Sequence, residues 1–278
     1  MDLAWVDSWR TPRDRTGLGL AAGERLVAGG TWLFSEPQPS VSGLVDLTAL
    51  NWPAAEPLPD GGLRIAATCT IAQVQTAPWP TPIAALVREC ADAFLMSFKI
   101  QGAATVGGNL CLALPAGAMI SLFSGLGAEA VIWTPEGGER REPVADLVQG
   151  VLTTSLAPGE VLRAVEVAGP ALADRYAMRR VSLTTYGRSA ALVIARRTPT
   201  TVLLTVTAST PAPRVLDLGP DPTPEAVRAA LETIQHWYDD VHGAPDWRRA
   251  TTETLAVEAV AAVTTVTDVT TGTSKESR

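Results

Sequence analysis

Ile100-Gln101-Gly102-Ala103-Ala104-Thr105-Val106-Gly107-Gly108-Asn109-Leu110, running on into Pro115-Ala116-Gly117, sets two adjacent glycines between Thr and Asn with apolar residues on both sides. With no Cβ in the way, such a backbone lets N–H groups approach an anion closely. A second pair stands upstream, where Val27-Ala28-Gly29-Gly30-Thr31 again puts Gly-Gly beside a hydroxyl side chain after a short apolar run. Singly, each is an ordinary turn signal. Folded together across about 75 residues of chain, two such nests suit a pyrophosphate.

The chain of 278 residues has room for two domains, each with its own core. Hydrophobic residues make up 46% and charged residues 18%, a globular and rather apolar composition. The formal charge of -7 and the absence of a basic block argue against a nucleic-acid partner. Cys69, Cys90 and Cys111 stand far apart without a Cys-x-x-Cys pair, which excludes an iron–sulfur cluster held by this chain alone and points to buried thiols in a reducing compartment. His236 and His242 sit in a polar stretch and support neither a zinc centre nor a Ser-His-Asp site. No signal peptide and no apolar run of about 18 residues is present, so a cytoplasmic protein without a membrane span is expected.

Gly17-Leu18-Gly19-Leu20-Ala21-Ala22 nominally matches a dinucleotide fingerprint, but the polar, proline-broken Trp9–Thr16 stretch before it supplies no buried strand. Arg25–Ala28 reads as a short strand ending at the first loop, and Gly43–Leu47 as a second. Asp60-Gly61-Gly62 is a turn between strands. Thr70 is a candidate N-cap, and Ile83, Leu86, Val87 and Cys90 recur at helical spacing behind Pro82. The run Ala118–Gly127 reads as an apolar helix, Glu129–Trp133 and Arg140–Val144 as a hairpin, and Val161–Val167 as a strand before a Gly169-Pro170 break. Tyr176–Ala195 and Thr201–Thr207 are rich in β-branched residues and read as antiparallel strands. Helices are expected from Thr223 and from about Trp247 to Val263.

The pair Ala-Gly-Gly-Thr and Thr-Val-Gly-Gly-Asn-Leu, with Pro-Ala-Gly behind the second, resembles the FAD-binding (medium) subunit of the molybdenum hydroxylases, the carbon monoxide dehydrogenase and xanthine dehydrogenase group. Val144-Ala145-Asp146-Leu147, Leu156-Ala157-Pro158-Gly159-Glu160 and Trp247-Arg248 follow in the order that group keeps. The resemblance implies an α+β fold. Residues 1–168 would form a two-lobed vanillyl-alcohol-oxidase-type FAD-binding domain, with lobes of about 1–55 and 56–168. A smaller antiparallel sheet with helices would cover 169–268, and a frayed tail 269–278.

It further implies that Ala28, Gly29, Gly30, Thr31 and Trp32 meet the FAD diphosphate from one side, and Thr105, Gly107, Gly108 and Asn109 from the other. Tyr186 would lie by the flavin ring; read without the family, it is a strand tyrosine on a half-buried face. No catalytic acid or base is implied, because oxidation takes place at the molybdopterin of a large partner subunit. Electrons would come through the [2Fe-2S] clusters of a small partner and leave for NAD+, oxygen or a quinone. Two positions depart from the family pattern. Trp32 stands where an acid follows Gly-Gly-Thr, and Ala118 where an acid closes Pro-x-x-Asp. Two alternatives are a free-standing flavin oxidase of the same superfamily and a scaffold subunit that has lost FAD.

Overall fold

The computed structural model describes residues 5–265, so the 269–278 tail lies outside the described residues. Three short strands, β1 (Ser8–Arg10), β2 (Glu24–Val27) and β3 (Gly43–Asp46), form a parallel sheet in the order β1-β3-β2. Both neighbours run parallel to β3, whose Leu44 and Val45 are buried. Arg10 clasps the foot of β2. Its Nε and Nη2 donate to the two carboxylate oxygens of Glu24 at 2.7 and 2.6 Å, and Glu24 also accepts from Ala21 N–H at 2.7 Å.

A second, antiparallel sheet follows, with β4 (Ala55–Pro57) and β5 (Leu63–Ala66) joined through the Asp-Gly-Gly turn. The chain then lays down α1 (Ile71–Thr76), α2 (Thr81–Ala93), α3 (Phe98–Gln101), α4 (Val106–Leu112) and α5 (Ala118–Gly125) before returning to the sheet. Thr70 starts α1 with a reciprocal capping box to Gln73, which satisfies two orphan donors of the first turn. In α2, Ile83, Leu86, Val87 and Cys90 make the inward stripe. All eight residues of α5 are buried, Ser121 and Ser124 among them, so this helix is covered all round.

Strands β6 (Glu129–Trp133) and β7 (Glu139–Pro143) form a hairpin. A helical turn, α6 (Val144–Leu147), and a small hairpin of β8 (Val148–Gly150) with β9 (Thr153–Thr154) lead to the central strand β10 (Val161–Val167). The sheet order is β4-β5-β10-β6-β7. A stacked cluster ties it to the parallel sheet's lobe. The Arg163 guanidinium lies 4.4 Å from the Trp52 ring and that of Arg15 4.8 Å from Trp133, while the two indoles meet edge to face at 5.3 Å. Ala28 packs on the same apolar cluster, so this contact steadies the base of the first glycine loop.

The third sheet is an antiparallel meander of β11 (Arg175–Val181), β12 (Ala191–Arg197), β13 (Val202–Thr207) and β14 (Arg214–Asp217). Helices α7 (Pro224–Glu232) and α8 (Pro245–Thr264) follow it. Leu192 and Ile194 of β12 join the main core, whereas Val193 and Ala195 face the second core with Val227, Leu231, Ala256 and Val260. A strand covered on both faces reads as a continuous apolar run, which is why Ala191–Ala195 shows no alternation. The buried Arg248 of α8 donates from Nη1 to Ala208 C=O at 2.8 Å and to Ala190 C=O, and pairs with Asp240. It thereby anchors the end of the loop that joins β11 to β12.

Candidate functional site: a cleft between two glycine loops

The two glycine pairs come together. Gly29 sits so close to Ala103 that a methyl built on it would overlap the Ala103 carbonyl oxygen, and Ala104 Cα would be 3.1 Å away. Both loops open into one cleft of about 950 Å³, in the size range of small-molecule sites. Ala28, Gly29, Gly30, Thr31, Trp32, Thr105, Gly108, Asn109 and Tyr186 all line it.

The loops offer different surfaces. At the first, the chain turns so that Phe34 N–H bonds to Gly30 C=O at 2.8 Å, and Gly30 takes φ +67 beneath the Phe34 ring, a conformation that favours glycine. Among the described residues, no hydrogen bond uses the N–H groups of Gly29, Gly30, Thr31, Trp32 or Leu33. Five amides without a hydrogen-bond partner among the described residues thus belong to residues that line the cleft, the kind of donor an anion cradle draws on.

The second loop departs from the expected nest. Thr105 N-caps α4, its Oγ1 accepting from Gly108 N–H at 3.1 Å, and the other amides of that turn are also engaged. Val106 N–H bonds to Cys69 C=O, Gly107 N–H to Ala67 C=O and Asn109 N–H to Thr105 C=O, at 2.8 to 3.0 Å. Gly107 is buried and does not line the cleft; a Cβ there would meet Ala67 Cβ at 2.6 Å. Its glycine serves close helix-to-strand packing. Asn109 lines the cleft while its Oδ1 accepts from Met119 N–H at 2.9 Å, capping α5. Thr105, Gly108 and Asn109 thus offer a hydroxyl, a bare Cα and an amide group.

Tyr186 is not a strand residue. It sits 86% exposed on the loop between β11 and β12, where it lines the cleft. Arg180 Nη2 holds that loop through Gly187 C=O at 3.0 Å, and Gly187 N–H bonds to Thr184 C=O at 2.8 Å. Cys69 and Cys90 are buried as expected, and burial pushes the Cys69 thiol up to about 12. Cys111 is exposed on the cleft side of α4.

Sequence reading missed Arg25 and Arg188, which among the described residues are the charged side chains of the cleft wall, since no described carboxylate lines it. Neither has an ion-pair partner among the described residues. One signal was available: no Asp or Glu occurs between Asp92 and Glu129, although the chain carries 29 acids. The apolar wall is made by Phe94, Leu95, Met96, Leu112, Leu114 and Leu152. His236 lies elsewhere, beside Arg214 and Val215 in a shallower cleft of about 410 Å³ without a glycine loop.

A family model described as the FAD binding domain in molybdopterin dehydrogenase matches residues 19–169, more than half of the chain. The chain belongs to this family. It is an FAD-binding subunit of the molybdenum hydroxylase type. Its fold matches a chain of quinoline 2-oxidoreductase from Pseudomonas putida 86 at 20% identity and a TM-score of 0.77, over 95% of this chain and 98% of that one. A chain of reconstituted CO dehydrogenase from Oligotropha carboxidovorans matches at 22% identity and 0.81, over 95% and 99%. The CO dehydrogenase of Hydrogenophaga pseudoflava matches at 21% and 0.79, over 93% and 97%. No curated protein matches the sequence significantly. Among the described residues, no helix is long and apolar enough to cross a membrane and no group of metal-ligating side chains occurs.

The cleft fits FAD on its own chemistry. The cofactor needs donors for a dianionic diphosphate and an apolar bed for a flat ring, and both are present without an opposing carboxylate. At the two departures from the family pattern, Trp32 is 43% exposed on the cleft, and Ala118 is buried as the first residue of α5.

Proposed function

We propose that this chain is the electron-transferring FAD subunit of a cytoplasmic molybdenum-containing hydroxylase complex. In this reading a large molybdopterin subunit oxidises the substrate and a small subunit relays single electrons through [2Fe-2S] clusters. This chain collects them in pairs and delivers them to NAD+, oxygen or a quinone. Bound FAD supplies the exchange between one-electron and two-electron chemistry. The chain's own residues bind, orient and shield.

Gly29, Gly30, Thr31 and Trp32 take the diphosphate with their open amides, Ala28 borders it at the base of the same loop, and Arg25 and Arg188 offset its charge. Thr105, Gly108 and Asn109 border it from the other side, Gly107 supports α4 from behind, and Tyr186 covers the ring. Residues 1–168 act as the FAD-binding domain, and residues 169–268 contribute Tyr186 and Arg188 to the same site. The observation that carries this reading is the convergence of the two glycine loops on one carboxylate-free cleft.

Each carboxylate lost at positions 32 and 118 removes about 1–3 kcal/mol of hydrogen-bonded binding, one to two decades in affinity. FAD is therefore held loosely by the isolated chain. The same two substitutions favour a second reading, a scaffold subunit without FAD. Equilibrium titration of the full-length chain with FAD, followed by flavin fluorescence and repeated with partner subunits, separates the two. Saturable binding at one FAD per chain is expected; no binding in either state overturns the flavoprotein reading.

A further inference from the structure

Among the described residues, five residues other than glycine take positive φ: Asn51, Leu95, Ala113, Leu152 and Ala208. Asn tolerates this region, and Ala brings only a methyl group to it. A leucine does not belong there. Leu95, at φ 53, and Leu152, at φ 57, are the two bulky members of the set, and both line the cleft between the glycine loops.

Each occupies a place where glycine would relieve the backbone. Leu95 directly follows the C-cap of α2, with its N–H on Asp92 C=O at 3.1 Å, the position at which helices commonly end in a left-handed glycine. Leu152 is in the turn of the β8–β9 hairpin, where Gly or Asn is favoured. Both segments are also fastened from behind. Gln101 Nε2 donates to Met96 C=O at 3.3 Å and Gln101 Oε1 accepts from Gln75 at 2.9 Å, fixing the Leu95 segment against α1. Leu152 N–H bonds to Ala113 C=O at 3.0 Å, fixing the hairpin to the end of α4.

Neither side chain recovers its strain through the core, since Leu95 is 38% and Leu152 62% exposed. Strain that persists at an exposed position needs a role outside the fold of the chain itself. From this geometry we infer that Leu95 and Leu152 are positioning residues for the cofactor, two strained apolar contacts that grip the isoalloxazine ring at the cleft wall. The inference rests on the FAD reading above. A flat, largely apolar ring gains from such contacts, whereas the diphosphate end gains nothing from them.

The test uses the full-length chain with Leu95→Gly, Leu152→Gly and Leu152→Asn. Glycine relieves the backbone, and asparagine keeps side-chain size and tolerates φ > 0 while losing apolar contact. Thermal stability without FAD is expected to hold or rise in all three. The FAD dissociation constant is expected to weaken about tenfold, a change of about 1.4 kcal/mol, and the bound-flavin absorption band to lose the fine structure of an apolar setting. Leucines that serve only the fold, or only a partner's docking surface, would leave affinity and spectrum of the isolated chain at wild-type values, and that result overturns the inference. Failure of the wild-type chain to bind FAD would instead overturn the flavoprotein reading.

Discussion

Gly29-Gly30 and Gly107-Gly108 are near-copies in sequence, each an apolar run, two glycines and a hydroxyl neighbour, yet they do opposite work. In the first turn the amides of Gly29 to Leu33 have no hydrogen-bond partner among the described residues, and those residues line the cleft. The second spends the amides of Val106, Gly107, Gly108 and Asn109 on the protein, two of them on the carbonyls of Cys69 and Ala67 just beyond β5. A glycine pair signals close backbone approach, and what approaches is decided by the surroundings. At the first loop Gly29 is approached by the Ala103 backbone and Gly30 by the Phe34 ring, yet the amides of the turn from Gly29 to Leu33 are left for a ligand. At the second, Gly107 is consumed by packing and only Gly108 reaches the cleft.

The largest effect is expected at the point where the loops touch. A methyl in Gly29→Ala overlaps the Ala103 carbonyl, backbone that cannot step aside, so the first loop must lift away from the segment leading into Thr105. Overpacking of this kind costs about 1–3 kcal/mol of stability. The displaced amides add a loss of FAD affinity of about 100-fold, near 2.7 kcal/mol. Titration with FAD, together with thermal unfolding of the same preparation, measures both. Retention of wild-type affinity would mean that the contact between the loops does not set the cradle.

Gly107→Ala sharpens the contrast. Its methyl meets Ala67 Cβ at 2.6 Å and Ala67 O at 2.8 Å, again without room to yield. Alanine returns up to about 1 kcal/mol of helix propensity. With the full return the net loss is about 0–2 kcal/mol, read as a lower unfolding midpoint. FAD affinity of the folded chain should stay within about threefold of wild type, because the Gly107 amide faces Ala67 and not the cleft. A large loss of affinity with little loss of stability would reverse the assignment and make the second loop the direct ligand.

The glycine pairs, the strands beside them and the helices with capping or proline signals were legible because each depends on neighbours a few residues away. Thr70 with Gln73 and Thr223 with Pro224 are of this kind. The division of labour between the loops was not legible, since it turns on Ala67 and Cys69, which lie about 40 residues before Gly107 in the chain. Tyr186 reads as strand because Thr184 and Thr185 are β-branched, but Gly187 and the Arg180 bond bend the chain into a loop. Leu95 and Leu152 were invisible for a different reason. A leucine in a left-handed turn contradicts the local preference that sequence reading relies on, and such contradictions gather at functional sites.

The smallest effect concerns the footing of the first loop alone. The Arg10 hydrogen bonds, helped by the Ala21 amide, hold the Glu24 carboxyl well below its ordinary 4.5, down to about 2. A carboxyl depressed in the folded state stabilises the chain above its unfolded value, and that contribution fades as pH falls through the folded one. The Arg10–Glu24 clasp therefore contributes fully above pH 4.5 and is lost as pH drops toward 2. Asp60 and Glu160, held low by backbone amides and by Arg140 respectively, weaken over the same acid range, so the total fall in stability is not specific to Glu24. The specific measurement is the difference in unfolding midpoint between wild type and Glu24→Gln. It should be greatest near neutrality and close as the solution is acidified. Glu24 starts β2, and only three residues separate it from the Ala28-Gly29 turn, so loss of the clasp loosens the open loop while leaving α4 on its Ala67 and Cys69 anchors. Hydrogen exchange resolved by segment should then rise in residues 27–33 of the variant and stay unchanged in 105–109. Equal loosening of both segments would show that the two loops move as one body and that the asymmetry in their hydrogen bonding has no dynamic counterpart.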